Sequence, residues 1–130
     1  MSEIKIRLGK PEDIPFINNT WLYSLYNGSQ YSNMEKDTFM REYRQTIGTL
    51  MSKPGVTVTV ACLQDDENVI VGWACWESDI LHFIYMKKMW RRNGIHFQLI
   101  PEIKRYTHIT RQFLKIKPKE LVFNPFLIGK

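Results

Sequence analysis

The residues best equipped for chemistry lie between 77 and 111. Ile84-Tyr85-Met86-Lys87-Lys88-Met89-Trp90-Arg91-Arg92-Asn93-Gly94-Ile95 reads as a strand, a basic loop containing one glycine, and the start of a helix. Such a turn aims several backbone N–H groups at one point, and positive side chains around it suit a phosphate. Gly94 allows a close backbone approach or a positive φ. An ordinary strand-to-helix turn with a solvated basic rim gives the same pattern. His82, His96 and His108 are the three histidines. An imidazole titrates near neutral pH and can take or give a proton there. In a strand, alternation places His82 on the face of Ile80, Ile84 and Met86, where a hydrogen-bonded core histidine is equally at home.

The chain has 130 residues, 18 Lys plus Arg and 13 Asp plus Glu, a formal net charge of +5. Residues 1–65 are balanced at seven basic and seven acidic side chains, so the whole excess falls in residues 66–130. An anionic partner is expected on that half. The length suits one domain over 1–130. The apolar fraction of 44% excludes disorder. No apolar run nears the roughly 20 residues of a spanning helix, so a soluble, cytoplasmic protein without a membrane partner is expected. Cys62 and Cys75 sit in apolar strand-like runs and suit small buried hydrophobes rather than a metal cluster or disulfide framework.

The elements that must position these residues follow from periodicity. Ile4–Leu8 alternates as a strand, and Pro11-Glu12-Asp13 opens a helix whose stripe is Ile14, Ile17, Trp21 and Leu25. Ser32-Asn33-Met34-Glu35 matches a capping box for a second helix, with Phe39, Tyr43, Ile47 and Leu50 as its stripe. Both helices are expected on one face of a sheet. Val56–Leu63, Val69–Trp76 and Ile80–Met86 form an antiparallel meander. Ile95, Leu99 and Ile103 predict a helix kinked by Pro101. A short strand near His108-Ile109, a short helix over Thr110–Lys117 and a last strand Leu121–Ile128 complete the order βααβββαβαβ.

Seen whole, the chain resembles the GNAT N-acetyltransferase superfamily. Arg91-Arg92-Asn93-Gly94-Ile95-His96, with Trp90 before it, is similar to the loop that holds acetyl-CoA pyrophosphate in that family. Ile6-Arg7-Leu8-Gly9-Lys10-Pro11-Glu12-Asp13-Ile14 is similar to the family's first strand and the Asp after it. Leu81–Lys87 and Phe123-Asn124-Pro125-Phe126 look most like short GNAT-like proteins of tailed bacteriophages. The resemblance implies an α/β (α+β) fold with a mixed, mostly antiparallel sheet flanked by helices, about one strand short at its C-terminal end. It implies acetyl-CoA as co-substrate and direct transfer to an amine acceptor, whether a small molecule, a protein or a nucleic acid. It places the cofactor on Ile84, Tyr85 and Met86 of the fourth strand and on Arg91, Arg92, Asn93, Gly94, Ile95 and His96. His82 matches the position of the family's base, with Glu77 at the preceding turn as the alternative.

Two departures stand out. His96 occupies a position that the family keeps small, and Thr110–Lys117 lacks the family's acidic tyrosine, for which Tyr106 is the replacement candidate. Trp21, Tyr23, Tyr26 and Tyr31 suit either an acceptor pocket or the core, and the stripe favours the core for Trp21. His108 falls where the fourth and fifth strands splay apart. The departures leave a second reading open: a GNAT-like binding module without turnover, engaging a protein or nucleic acid through its basic half. Direct nucleic-acid binding through Lys87, Lys88, Arg91, Arg92, Lys104, Arg105 and Arg111 is a third, with only Trp90 as a stacking aromatic among the loop arginines. An exposed edge strand at the C-terminal end invites a homodimer.

Overall fold

The computed structural model describes residues 3–91, 94–116 and 120–129. β1 (Ile4–Leu8), β2 (Thr57–Leu63), β3 (Asp66–Glu77) and β4 (Ile80–Met86) pair antiparallel in that order. β5 (Arg105–Tyr106) and β6 (Val122–Phe123) then join in parallel, giving a six-stranded sheet in sequence order. α1 (Ile14–Gly28) and α2 (Lys36–Met51) link β1 to β2, α3 (Ile95–Gln98) follows β4, and α4 (Arg111–Ile116) follows β5. This is the expected element order.

The apolar stripes explain the layers. Ile17, Trp21 and Leu25 of α1, with Phe39, Ile47 and Leu50 of α2, bury against Val60, Trp73, Cys75 and Phe83 on one sheet face. Ile95, Leu99 and Phe113 pack with Val71, Leu81 and Tyr106 on the other. Cys62 and Cys75 are buried free thiols. The entry to α1 is held by Asp13, which accepts two bonds from the Arg7 guanidinium at 2.7 and 3.0 Å and one from the Lys10 N–H. The bond from Arg7 keeps the Asp13 carboxyl below its ordinary range.

Four expectations need correction. Ser29, rather than Ser32, does the local capping: its hydroxyl accepts the Tyr31 N–H, and Gln30–Asn33 makes a 3-10 turn. α2 therefore begins only at Lys36. α3 stops at Gln98 instead of running through Pro101 as a kinked helix, because a residue preceding proline is driven out of helical geometry. The fifth strand is Arg105–Tyr106, not His108-Ile109: the Asp79 carbonyl takes the N–H groups of both Lys104 and Arg105, and the Asp79 carboxylate pairs with Arg105 at 2.7 Å. The last strand is Val122–Phe123 and not Leu121–Ile128. Asn124 accepts the Phe126 N–H through its side chain, and Pro125–Gly129 coils into a 3-10 turn.

Gly72 lets β3 and β4 close over a large side chain. A Cβ there would run into Met86 Sδ and stand 2.7 Å from the Tyr85 carbonyl oxygen. Gly72→Ala is expected to cost about 1–3 kcal/mol by overpacking, read as a lower urea midpoint; an unchanged midpoint would show that Met86 gives way freely.

Candidate functional site

β4 does not run smoothly past β3. Cys75 faces Phe83 and Trp76 faces Leu81, so His82 is an extra residue in a β-bulge. The bulge reverses the alternation. Phe83 joins the α1/α2 side of the core while Leu81 and Ile84 face the other side. The expectation that His82 shares the face of Ile84 and Met86 is corrected accordingly.

The bulge also marks where the sheet opens. Pairing of β4 with β5 ends at Leu81 and Tyr106, and the Thr107 N–H still reaches the Leu81 carbonyl at 3.1 Å. β4 continues to Met86 without β5. The Lys87 N–H bonds to the Val71 carbonyl and Tyr85 faces Trp73, so the amide of Tyr85 belongs to the β3 side. Strand alternation then turns the N–H groups of Ile84 and Met86 toward the edge that β5 leaves. Leu81, His82, Ile84, Tyr106 and His108 line the cleft there. A wider cavity of about 230 Å³ adjoins it on the α3 side, lined by Ile84, His96, Phe97, Ile103, Phe113 and Leu121 among others.

Polar side chains fill the split itself. Lys53 Nζ lies 3.0 Å from Glu77 Oε1, and the same oxygen is 2.8 Å from His82 Nε2. His82 Nδ1 is 3.0 Å from the Thr107 hydroxyl, which is 2.8 Å from His108 Nδ1. His108 Nε2 meets the Tyr43 hydroxyl. His82, Thr107 and His108 are buried. Partial burial raises the pKa of Glu77, but hydrogen bonds from His82 and Lys53 outweigh it and hold the carboxyl below its ordinary range. Burial lowers the pKa of His82 against the pull of Glu77, and pushes His108 down to about 3. The site thus holds one ionised carboxylate and two neutral imidazoles near pH 7. Both ring nitrogens of His82 are taken by protein atoms, so it transmits a proton more readily than it meets a substrate.

The remaining sequence candidates are placed as follows. Gly94 adopts φ 80°, as a glycine at that turn allows, but the helix it opens has only 4 residues. Its dipole is correspondingly small. Arg91 Nε donates to the Met86 carbonyl at 2.9 Å, which ties the loop to the end of β4. Arg92 and Asn93 lie outside the described residues. Ile95 is buried against the sheet. His96 is half-buried. Its ring lies 4.0 Å from that of Phe97, its Nε2 has no hydrogen-bond partner among the described residues, and burial lowers its pKa. Tyr106 packs between Phe113 and Phe123. Trp21 is core, stacked on Phe83 and edge-on to His108. Tyr26 and Tyr31 pack on Phe39, and Tyr31 also on Tyr43, while Tyr23 is exposed beside Lys36. Tyr43, Thr107 and Lys53 were not site candidates from sequence. Tyr43 follows the α2 stripe, and its partner is 65 residues away. Among the described residues no group of His, Cys, Asp or Glu suits a metal ion.

No protein-family model and no curated protein matches the sequence. Solved structures match the fold. A candidate acetyl transferase from Pyrococcus furiosus aligns with a TM-score of 0.65 at 17% identity, over 94% of this chain and 98% of that one. A GCN5-related N-acetyltransferase from Rhodopseudomonas palustris aligns at 0.52 and 18% identity, over 76% of this chain and 62% of that one. PaiA N-acetyltransferase from Thermoplasma acidophilum, solved in complex with coenzyme A, aligns at 0.51 and 16% identity, over 75% and 67%. The chain has the GNAT acetyltransferase fold, and it spans less than two-thirds of the Rhodopseudomonas protein.

Neutral burial of His108 makes stability depend on pH. Its folded pKa lies below the unfolded value near 6.5, so the unfolded state binds the extra proton and stability falls as pH drops below 6.5. Between pH 7 and pH 5 this amounts to about 2 kcal/mol. Glu77, with its lowered pKa, adds loss only below its ordinary range near 4.5. Urea midpoints at pH 7 and pH 5 are expected to differ for the wild type and to differ less for His108→Gln, the remainder belonging to His82 and His96, whose pKa values burial also lowers. An undiminished difference in that variant would assign the pH dependence elsewhere.

Proposed function

We propose that the chain is an N-acetyltransferase that moves an acetyl group from acetyl-CoA to an amine. The observation that carries this reading is the split after Leu81, which sets two strand amides beside a carboxylate–imidazole pair. Acyl transfer from a thioester requires both. As the amine nitrogen bonds to the carbonyl carbon, negative charge collects on the carbonyl oxygen, and fixed N–H donors stabilise it. Ile84 and Met86 supply them in this reading. The nitrogen must also lose a proton, for which Glu77 is the terminal base and His82 the ring that passes it on. The carbon–sulfur bond then breaks and the thiolate takes up a proton; Tyr106, on the same cleft, is the phenol proposed for that step.

The apolar cavity beside Ile84 has room for the pantetheine arm. Lys87, Lys88 and the Gly94 turn border the place proposed for the pyrophosphate, and the coenzyme A complex of PaiA N-acetyltransferase supports the choice of cofactor. The resemblance to phage proteins supports a host cytoplasm as the compartment. The structure contains no helix long and apolar enough to cross a membrane, among the described residues.

One observation favours the binding module instead. α3 is a single turn and Arg91 is engaged with Met86, which leaves the loop fewer donors for phosphate. Calorimetric titration with acetyl-CoA separates the two. Micromolar affinity, about −8 kcal/mol, is expected for the transferase, whereas no heat with acetyl-CoA or free CoA would turn the search to macromolecular partners. Glu77→Gln is expected to lower thiol release by about 10²–10⁴-fold with cofactor affinity unchanged. A full rate in that variant would remove Glu77 as the base.

A further inference from the structure

The Glu77–His82 pair is one end of a longer chain, and hydrogen-bond chemistry fixes the order of donors along it. An ionised carboxylate only accepts, so His82 Nε2 must carry a hydrogen toward Glu77. A neutral imidazole has one hydrogen, so His82 Nδ1 must accept from the Thr107 hydroxyl. That hydroxyl has now spent its only hydrogen and must accept from His108 Nδ1. The His82 backbone carbonyl, 3.5 Å from the same hydroxyl, is the more distant acceptor. His108 Nε2 is then an acceptor, and Tyr43 donates to it. Every bond points the same way, and none of these side-chain atoms is left unsatisfied among the buried groups. Both ends are held by one helix region, Tyr43 within α2 and Lys53 two residues past its end.

We infer that Tyr43, His108 and Thr107 extend the Glu77–His82 pair into a directed proton relay, with the Tyr43 hydroxyl as the entry and the Glu77 carboxylate as the terminus. This rests on the proposed transfer reaction and gives the path of its proton. Tyr43 accepts a proton from the amine nitrogen as its own hydrogen passes to His108 Nε2. The His108 Nδ1 hydrogen moves to Thr107, the Thr107 hydrogen to His82 Nδ1, and the His82 Nε2 hydrogen to Glu77. The nitrogen has lost one proton, the carboxylate has gained it, and each group between remains neutral with its bonds reversed. Release from Glu77 to water, beside Lys53, and the return of the hydrogens reset the chain. Thr107 and His108 are positioning residues here: they fix which nitrogen of His82 is protonated. The other titratable groups facing the relay are Lys53 and Cys75 at Glu77 and Tyr31 at Tyr43.

The test uses the full chain and two independent readouts. Nitrogen NMR of the imidazoles is expected to show His82 protonated at Nε2 and His108 at Nδ1; the opposite tautomer at either ring overturns the relay whether or not the protein transfers acetyl groups. In turnover, Tyr43→Phe and Thr107→Val are each expected to lower kcat about 10²-fold with KM for acetyl-CoA unchanged. Their combination is expected to be no slower than the worse single variant, because a chain cut once is already cut. Thr107→Ser should restore the rate. Multiplying losses in the double variant, or a full rate in Tyr43→Phe, contradict the relay. Should Thr107→Val fail to fold, Tyr43→Phe and the tautomers decide. A chain that binds no acetyl-CoA yet shows the expected tautomers would lose the transferase reading and keep the directed hydrogen-bond order.

Discussion

A parallel strand pair that stops after two residues leaves its longer member with backbone donors and no strand to receive them. That constraint organises the second half of this protein. β5 bonds to β4 only at Ile80 and Leu81, yet β4 runs on to Met86. Bare amides at a sheet edge are costly when buried and useful when a ligand carbonyl can take their place. The His82 bulge is the hinge of this arrangement, since it reverses the alternation of β4 as β5 departs. The N–H groups of Ile84 and Met86 then face a cleft rather than a neighbouring strand.

Opening a sheet admits water unless something polar fills the gap. Here Glu77, His82, Thr107 and His108 do so, each satisfied by the next, with Lys53 and Tyr43 at the ends. A buried network of this kind is stable only when complete, because one missing partner strands the others in a low dielectric. Its completeness explains two neutral histidines within a basic half-chain. The aromatic wall of Trp21, Phe83 and Tyr43 packed around His108 supplies the desolvation that keeps that ring uncharged.

Much of the frame was legible from sequence because it depends on local pattern. The α1 stripe, the meander from Thr57 to Met86 and the loop after it follow from periodicity and turn chemistry. The C-terminal third was not, for physical reasons that single residues illustrate. β5 and β6 have two residues each, too few to show alternation. β5 starts at Arg105 because Asp79, 26 residues earlier, captures it. His82 read as an alternating strand residue because a bulge leaves no mark on composition. Tyr43 was legible only as part of a helical stripe, although its hydroxyl ends the polar chain that begins at Glu77. The family likeness brought Glu77, His82, Ile84 and Met86 together as candidates; His82 and Ile84 line the cleft, and Glu77 is joined to it through its bond to His82. In the loop, Arg91 Nε bonds to the Met86 carbonyl and His96 packs against Phe97.

In the proposed transfer, the open edge of β4 receives the thioester. Amide NMR of the full chain titrated with acetyl-CoA tests it most directly. Saturable shifts largest at the N–H groups of Ile84 and Met86, with Tyr85 moving less because β3 holds it, are the expected result. Binding that leaves those two amides unmoved would contradict the claim, and would place the ligand elsewhere on the molecule.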